Sequence, residues 1–177
     1  MQNFKLHYIK DEYIKFISEF DKKVLYNKNG TRPYIGIVFI QNDITYFAPL
    51  SSPKPKHLLM SNKKPDIYKI KDGELGIINL NNMVPTPKSE LILINMESQE
   101  NQKYIKLLKE QINFLNNRKF KVVNKAKKLY KLYKENNLIS PIKNRCCNFM
   151  LLETKYEEWK NRFLEKEVKY ERKTRIK

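Results

Sequence analysis

RPYIGIVFIQNDITYFAPLSSPKPKH, residues 32–57, is the segment around which the rest of the chain is arranged. Two apolar runs rich in β-formers, 34–40 and 44–47, flank a polar Asn42-Asp43 turn, and this pattern predicts a β-hairpin. Prolines follow at positions 49, 53 and 55 and cannot donate to a ladder, so we expect the second strand to end there. The loop beyond it, a common place for functional side chains, presents Ser51, Ser52, Lys54, Lys56 and His57.

A small sheet with one early helix is predicted for the first hundred residues. Residues 4–9 alternate as a strand does, and Asp11 is a good N-cap for a helix whose apolar face includes Tyr13 and Phe16. Residues 57–65 lack a regular pattern. Further strands are predicted at 67–70, 74–80 and 91–94. Five or six short strands are enough for a strongly twisted antiparallel sheet or a partial barrel.

Helices are predicted after residue 100, with a break near Asn116-Asn117. The clearest apolar stripe, with 3-4-3-4 spacing, consists of Phe149, Leu152, Tyr156, Trp159 and Phe163, and we expect it in the core. The fold class is therefore α+β, in one domain spanning residues 1–177. Its parts are a β-rich region 1–100, a helical and basic region 101–170, and a tail, 171–177, that we expect to be flexible.

The net positive charge of the chain limits the kinds of partner that it could bind. The chain has 36 basic and 19 acidic residues, a net charge of +17, and most of the excess follows residue 100. Such an excess indicates a polyanion, either nucleic acid or an anionic membrane. No apolar run approaches the roughly 18–20 residues that span a bilayer, and no segment has the pattern of a membrane-surface helix. Nucleic acid is the partner that these observations favour.

The cysteines and histidines favour metal-independent chemistry in a reducing compartment. Cys146 and Cys147 are adjacent, and adjacent cysteines rarely form a disulfide, so we expect free thiols and the cytoplasm. Two histidines far apart and no C-x-x-C pair give no metal-ligand pattern. We expect neither a metal nor another cofactor.

The serine loop has three interpretations. It is a polar turn with no role, a phosphate clamp in a non-catalytic RNA- or DNA-binding module, or part of a nuclease. No G-x-S-x-G elbow is present, which argues against a serine hydrolase. Metal-free RNA cleavage needs a base for the 2′-hydroxyl, cations for the phosphorane and a proton for the 5′-oxygen. Hydroxyls, lysines, an arginine and a histidine supply these groups.

Residues 118–134 contain eight basic side chains and no acidic one. A solvated helix face usually carries both signs, so we predict phosphate contact. Phe120, Tyr130 and Tyr133 have helical spacing and are better suited to the core than to base stacking. The residues predicted to bind the RNA backbone are Lys56, Arg118, Lys119, Lys121, Lys125, Lys127, Lys128 and Lys131.

Four collinear segments carry a resemblance to a known family. IGIVFIQNDITYFAPLSSPKPKH at 35–57 resembles the ToxN/AbiQ/CptN toxins of type III toxin–antitoxin systems. The early β-α unit, LGIINLNNMVP at 75–85 and CNFMLLETKY at 147–156 are similar to further segments of that family, in the same order. Together they span most of the chain.

The resemblance implies a fold, an activity and a partner. The fold is like that of the Kid/MazF/CcdB toxins, a curved antiparallel sheet of SH3-like barrel character, here with added helices. The activity is metal-independent endoribonuclease cleavage that leaves a 2′,3′-cyclic phosphate and a 5′-hydroxyl. The inhibitor is a repeated antitoxin RNA pseudoknot, which alternates with the toxin in a closed assembly of three each. Release of the toxin during phage infection causes abortive infection.

The resemblance also assigns residues. Ser52 matches the essential serine of the family motif, and Ser51 matches its neighbouring hydroxyl residue, often threonine. Arg32 stands where a relative has lysine, so the positive charge is kept, but a guanidinium stays protonated and is a poor base. The remaining matches are Lys54 and His57 at basic positions and Tyr13 near the active site. The pKa of a histidine suits a proton acceptor, although the family match does not assign that role to His57.

Overall fold

A computed structural model of the chain describes residues 3–97 and 101–174, with side chains described as far as Arg162. Within these residues seven strands form one antiparallel sheet, in the order β4-β5-β3-β2-β1-β7, with β6 beside β3. The strands are β1 (Lys5–Ile9), β2 (Tyr34–Gln41), β3 (Ile44–Ser51), β4 (Ile67–Lys69), β5 (Ile77–Asn79), β6 (Val84–Pro85) and β7 (Leu91–Leu93). The predicted α+β class and antiparallel sheet are confirmed.

The central hairpin forms as predicted, but its second strand is longer than expected. Asn42 and Asp43 both have positive φ, 47° and 61°, as the tight turns that match strand twist require. The strand β3 ends within the proline-containing stretch 49–55, as predicted, but it continues past Pro49 to Ser51. The carbonyl of Pro49 points away from β2, toward the edge of β3 where the neighbouring strand changes from β6 to β5. The position of the missing N–H faces the same edge. No ladder bond is lost there.

Three other local predictions need correction. The irregular region expected from His57 begins instead inside a short helix, α2 (Pro55–Leu59), with proline at its first position, where a missing N–H costs nothing. The strand expected at 74–80 is reduced to β5, because Gly76 adopts φ +94° and turns the chain before it. The strand β6 was not predicted, since its proline suggested a loop.

The helices join the sheet in one hydrophobic core. They are α1 (Asp11–Phe20), α3 (Gln102–Asn117), α4 (Lys119–Lys134), α5 (Ser140–Lys143) and α6 (Phe149–Thr174), and the break predicted after α3 is confirmed. Side chains from β1–β3, α1, α4 and α6 belong to a single buried cluster. Four members of the predicted C-terminal stripe are buried, whereas the side chain of Phe163 lies outside the described part. The backbone is helical to Thr174, so residues 171–174 of the predicted tail are helical and 175–177 lie outside the described residues.

Two backbone N–H groups at the start of α6 donate hydrogen bonds to the β-rich region. The Cys147 N–H donates to the Asn81 carbonyl at 2.8 Å, and the Asn148 N–H donates to Asp21 Oδ2 at 2.6 Å. Cys146 and Cys147 are buried free thiols, as predicted. No helix among the described residues is both long and apolar enough to cross a bilayer.

Candidate active site and nucleic-acid interface

The open end of the β2–β3 hairpin brings Arg32 and the two serines together. Tyr34 pairs with Pro49, and the Leu50 N–H donates to the Pro33 carbonyl at 2.9 Å. By the same antiparallel register, Arg32 lies opposite Ser51. The Nε of Arg32 donates to the Tyr26 carbonyl at 2.7 Å, which restrains the guanidinium.

Two residues that the sequence did not assign hold Ser51 in place. Asn79 Nδ2, on β5, donates to Ser51 Oγ at 2.9 Å and to the Pro49 carbonyl at 3.3 Å. A Cβ on Gly76 would lie 2.0 Å from Ser51 O and 3.1 Å from Pro53 N, so the chain at Gly76 passes directly against the serine loop. In the sequence, this region is marked only by the family-like segment at 75–85, which assigns no role to Gly76 or Asn79.

Ser52 is exposed and opens onto a cavity of about 230 Å³. The other lining residues are Tyr8, Lys28, Thr31, Pro33, Leu50 and Tyr104. Burial raises the pKa of Tyr104 to about 12, with a smaller contribution from Tyr8, so both phenols are protonated donors at neutral pH. The cavity therefore combines a hydroxyl, a cation and two aromatic rings, a set that suits a nucleotide next to the scissile phosphate.

The basic residues after the serines are not all exposed. Lys54 and Lys56 are exposed, but His57 is only 1% exposed, which corrects the expectation that the loop presents its imidazole. The reason is α2, which turns this side chain inward, and Lys69 Nζ caps the far end of α2 by donating to the Leu58 and Met60 carbonyls at 3.0 Å. His57 Nδ1 makes no hydrogen bond within the described residues.

We expect this burial to make stability fall in mild acid. Burial, and then Lys56, Lys54 and Lys69, lower the pKa of His57 from 6.5. The unfolded chain therefore binds more protons just below pH 6.5, and the free energy of unfolding decreases as pH falls through this window. Denaturant unfolding between pH 8 and 5 should show a smaller acid loss for His57→Gln than for wild type. His7 titrates in both proteins, so parallel curves would contradict the assignment to His57.

Tyr13 is not brought to the serine loop. Its side chain is fully buried, packs edge-on against Trp159 and donates its hydroxyl to the Pro85 carbonyl at 2.6 Å. Pro85 pairs with Tyr46, five residues before Ser51 on β3, a separation of roughly 17 Å along a strand. The side chain of Tyr13 therefore lies in the core, as its position on the apolar face of α1 indicates.

The basic helix α4 lines a second region together with residues of the hairpin. One cavity of about 480 Å³ and another of about 350 Å³ share Phe39, Ile40 and Lys127 as lining residues, so they form one continuous groove. We call it the α4 groove. Its cations on the helix are Lys119, Lys127, Lys131 and Lys134.

The other predicted RNA contacts differ in exposure. Arg118, Lys121 and Lys128 are exposed, whereas Lys125 is half-buried and donates from Nζ to the Asn62 carbonyl at 3.0 Å. Burial lowers the pKa of Lys125. Among the interleaved aromatics, Tyr130 is in the core as expected, whereas Phe120 is 66% exposed. No three His, Cys, Asp or Glu side chains in the described ranges are close enough to hold a metal ion.

Comparison with known proteins identifies the family. A family model for "Toxin ToxN, type III toxin-antitoxin system" matches residues 5–157. Endoribonuclease ToxN of Bacillus thuringiensis subsp. kurstaki is 33% identical over 93% of this chain and 89% of its own length. AbiQ, a lactococcal anti-phage endoribonuclease of a type III system, superposes with a TM-score of 0.79 at 26% identity, covering 90% of this chain and 99% of AbiQ.

A third similar protein has a solved structure that concerns type III toxin inhibition by a non-coding RNA pseudoknot. It superposes with a TM-score of 0.72 at 30% identity, covering 90% of this chain and 99% of that one. The family model spans the hairpin, the serine loop, the helices α1 to α5 and the first part of α6. This chain belongs to the ToxN family of type III toxin–antitoxin toxins.

Proposed function

We propose that this chain is the endoribonuclease toxin of a type III toxin–antitoxin system. It cuts RNA by attack of a 2′-hydroxyl on the adjacent phosphate, which expels the 5′-oxygen and leaves a 2′,3′-cyclic phosphate and a 5′-hydroxyl. The observation that carries the proposal is the arrangement at the open end of the hairpin, where Arg32 lies opposite Ser51 and Ser52 opens onto a cavity. The endoribonuclease activity of the relatives supports it.

Each group has a role that its position allows. The exposed Ser52 hydroxyl donates to the scissile phosphate, and Ser51, oriented by Asn79, contacts the neighbouring 2′-hydroxyl. Arg32 and Lys54 stabilise the charge that develops on the phosphorane. His57, which is buried, holds α2 and its lysines at the edge of the site instead of contacting RNA.

The partner that restrains this activity is an antitoxin RNA. A non-coding RNA pseudoknot inhibits one of the similar toxins, and a net charge of +17 suits this chain to bind the same kind of polyanion. The α4 groove contacts the RNA backbone, and toxin and RNA alternate in a ring of three each. The complex forms in the cytoplasm, and its disruption during phage infection releases the nuclease and aborts the infection.

Incubation of the purified, RNA-stripped protein with an unstructured RNA in EDTA tests the activity. We expect cleavage that persists in EDTA, with products that carry 2′,3′-cyclic phosphate and 5′-hydroxyl ends. Intact RNA together with tight, salt-sensitive binding would overturn the proposal. It would instead support the non-catalytic module, in which the serine loop only clamps phosphates.

A further inference from the structure

The larger cavity of the α4 groove is separate from the serine site. Its volume is about 480 Å³, within the range of about 300–1,000 Å³ typical of small-ligand sites. Phe47, one of its lining residues, precedes Ser51 by four residues on β3, roughly 13 Å along a strand. We call this cavity the His7 pocket, because it contains one of the two histidines of the chain.

An irregularity in the sheet shapes the pocket. Ile35 pairs with Ala48 and Phe39 with Tyr46, so β2 advances four residues while β3 advances two. The two extra residues form a bulge, and residues 36–38 line the pocket. A Cβ on Gly36 would lie 2.1 Å from the Phe47 ring, so the ring can occupy this position only because residue 36 is glycine. The imidazole of His7 meets the Phe47 ring edge-on, with the ring centroids 5.4 Å apart.

The charge around the pocket is entirely positive. Its charged lining residues are Lys5, Lys88, Lys119 and Lys127, and its lining contains no carboxylate. The Nζ of Lys119 is buried without a hydrogen bond in the described part of the chain and lies 5.5 Å from the centre of the Phe4 ring. A buried ammonium with no anion is costly. An anionic ligand would give Lys119 its missing partner.

The uncharged lining residues of the pocket indicate that its ligand is more than a simple anion. Ile37, Phe39 and Phe47 are apolar lining residues of the pocket, and the buried Nδ1 of His7 has no hydrogen bond of normal geometry among the described residues. Burial lowers the pKa of His7, a backbone hydrogen bond with Lys5 partly opposes this shift, and the charge of Lys5 lowers the pKa further. At neutral pH the imidazole is therefore uncharged and able to hydrogen-bond to a polar, planar ring.

We propose that the His7 pocket binds one unpaired nucleotide of an RNA strand, with the base against the apolar wall beside His7 and its phosphate at Lys119. This inference rests on the proposed binding of RNA in the α4 groove. The pocket would add a nucleotide-selective contact away from the site of cleavage. The protein would then recognise one base of a bound strand at a distance from the scissile bond. Stacking and phosphate contact together are the usual means of holding a single-stranded base.

The pocket can be observed through His7, with the buried His57 as an internal reference. Imidazole NMR signals of His7 and His57 would be followed while a 2′-O-methyl hexaribonucleotide, which lacks the attacking hydroxyl, is added. We expect the hexaribonucleotide to cause a saturable change in the chemical shift of His7. A mononucleotide at the same concentration should cause a change at least tenfold smaller. A hexamer carrying abasic sites, or inorganic tripolyphosphate, should leave His7 almost unshifted. An equal response to tripolyphosphate, or to the mononucleotide, would overturn the inference of a strand nucleotide.

Lys119→Met tests the phosphate contact, with Lys109→Met, an exposed lysine of α3, as a control that removes the same charge. We expect Lys119→Met to weaken hexamer binding about tenfold, because it removes a charge-assisted hydrogen bond, and Lys109→Met to weaken it less than twofold. Equal effects would mean a purely electrostatic contribution and would overturn the inference. If the protein cleaves RNA while His7 does not respond, only the pocket is refuted. If no RNA is bound or cut, the proposed function itself fails.

Discussion

Ser52→Ala is expected to slow RNA cleavage by about 10²–10³-fold while leaving RNA affinity nearly unchanged. The loss is that of one donor to a charge that develops only in the transition state. Ser52 is exposed, and no hydrogen bond within the described residues depends on its hydroxyl, so the folded protein should be as stable as wild type. Single-turnover cleavage rates and the Kd for a 2′-O-methyl RNA, measured on the same preparations, would separate the two effects.

Ser18→Ala is a suitable control, because Ser18 is a half-buried serine on α1 whose hydroxyl donates only to the Lys15 carbonyl. It should cleave RNA at the wild-type rate. The opposite pattern for Ser52→Ala, weaker binding with an unchanged rate in the bound complex, would show that this serine is a phosphate clamp. The catalytic assignment would then be wrong.

Gly76→Ala is expected to abolish most activity from a position that does not touch RNA. The new Cβ would lie 2.0 Å from Ser51 O, and φ at this residue is +94°. Strain and displacement of the serine loop should lower the free energy of unfolding by about 2–4 kcal/mol. Displacement of the serines by about 1 Å should reduce the cleavage rate by about 10²-fold. Thermal unfolding and single-turnover kinetics measure both.

Gly30→Ala separates these two causes. Gly30 also has positive φ, +78°, but a Cβ there meets nothing within 4 Å. This variant should lose only about 1 kcal/mol of stability and keep its activity. If Gly76→Ala behaves like Gly30→Ala, the serine loop does not depend on the close approach at Gly76, and its proposed support by β5 is refuted.

Patterns local to one segment predicted most of the fold. The Asn42-Asp43 turn between two apolar runs fixed the hairpin, and the spacing of Tyr13 and Phe16 indicated that α1 buries this face. The family resemblance places Tyr13 near the active site, and the structure places its side chain in the core. A side chain that a helix pattern places in the core is held there by packing, and its hydroxyl is satisfied by Pro85.

What the sequence could not predict depends on contacts between distant segments. The support of Ser51 by Asn79 and Gly76 arises only when β5 pairs with β3. The burial of His57 depends on a helix of five residues, too short for a periodic signal. The His7 pocket requires a bulge, and two extra residues in an apolar run look the same as a longer strand. In each case the deciding event is tertiary pairing.

The single core shared by the two halves of the chain has a further consequence. Buried residues of α4 and α6 pack in the same cluster as those of β2 and β3, and the backbone of Cys147 is hydrogen-bonded to Asn81. Neither half can cover its apolar face alone. The two halves, expressed as separate chains, should therefore each remain unfolded, and the proposed ribonuclease activity should return only when they associate.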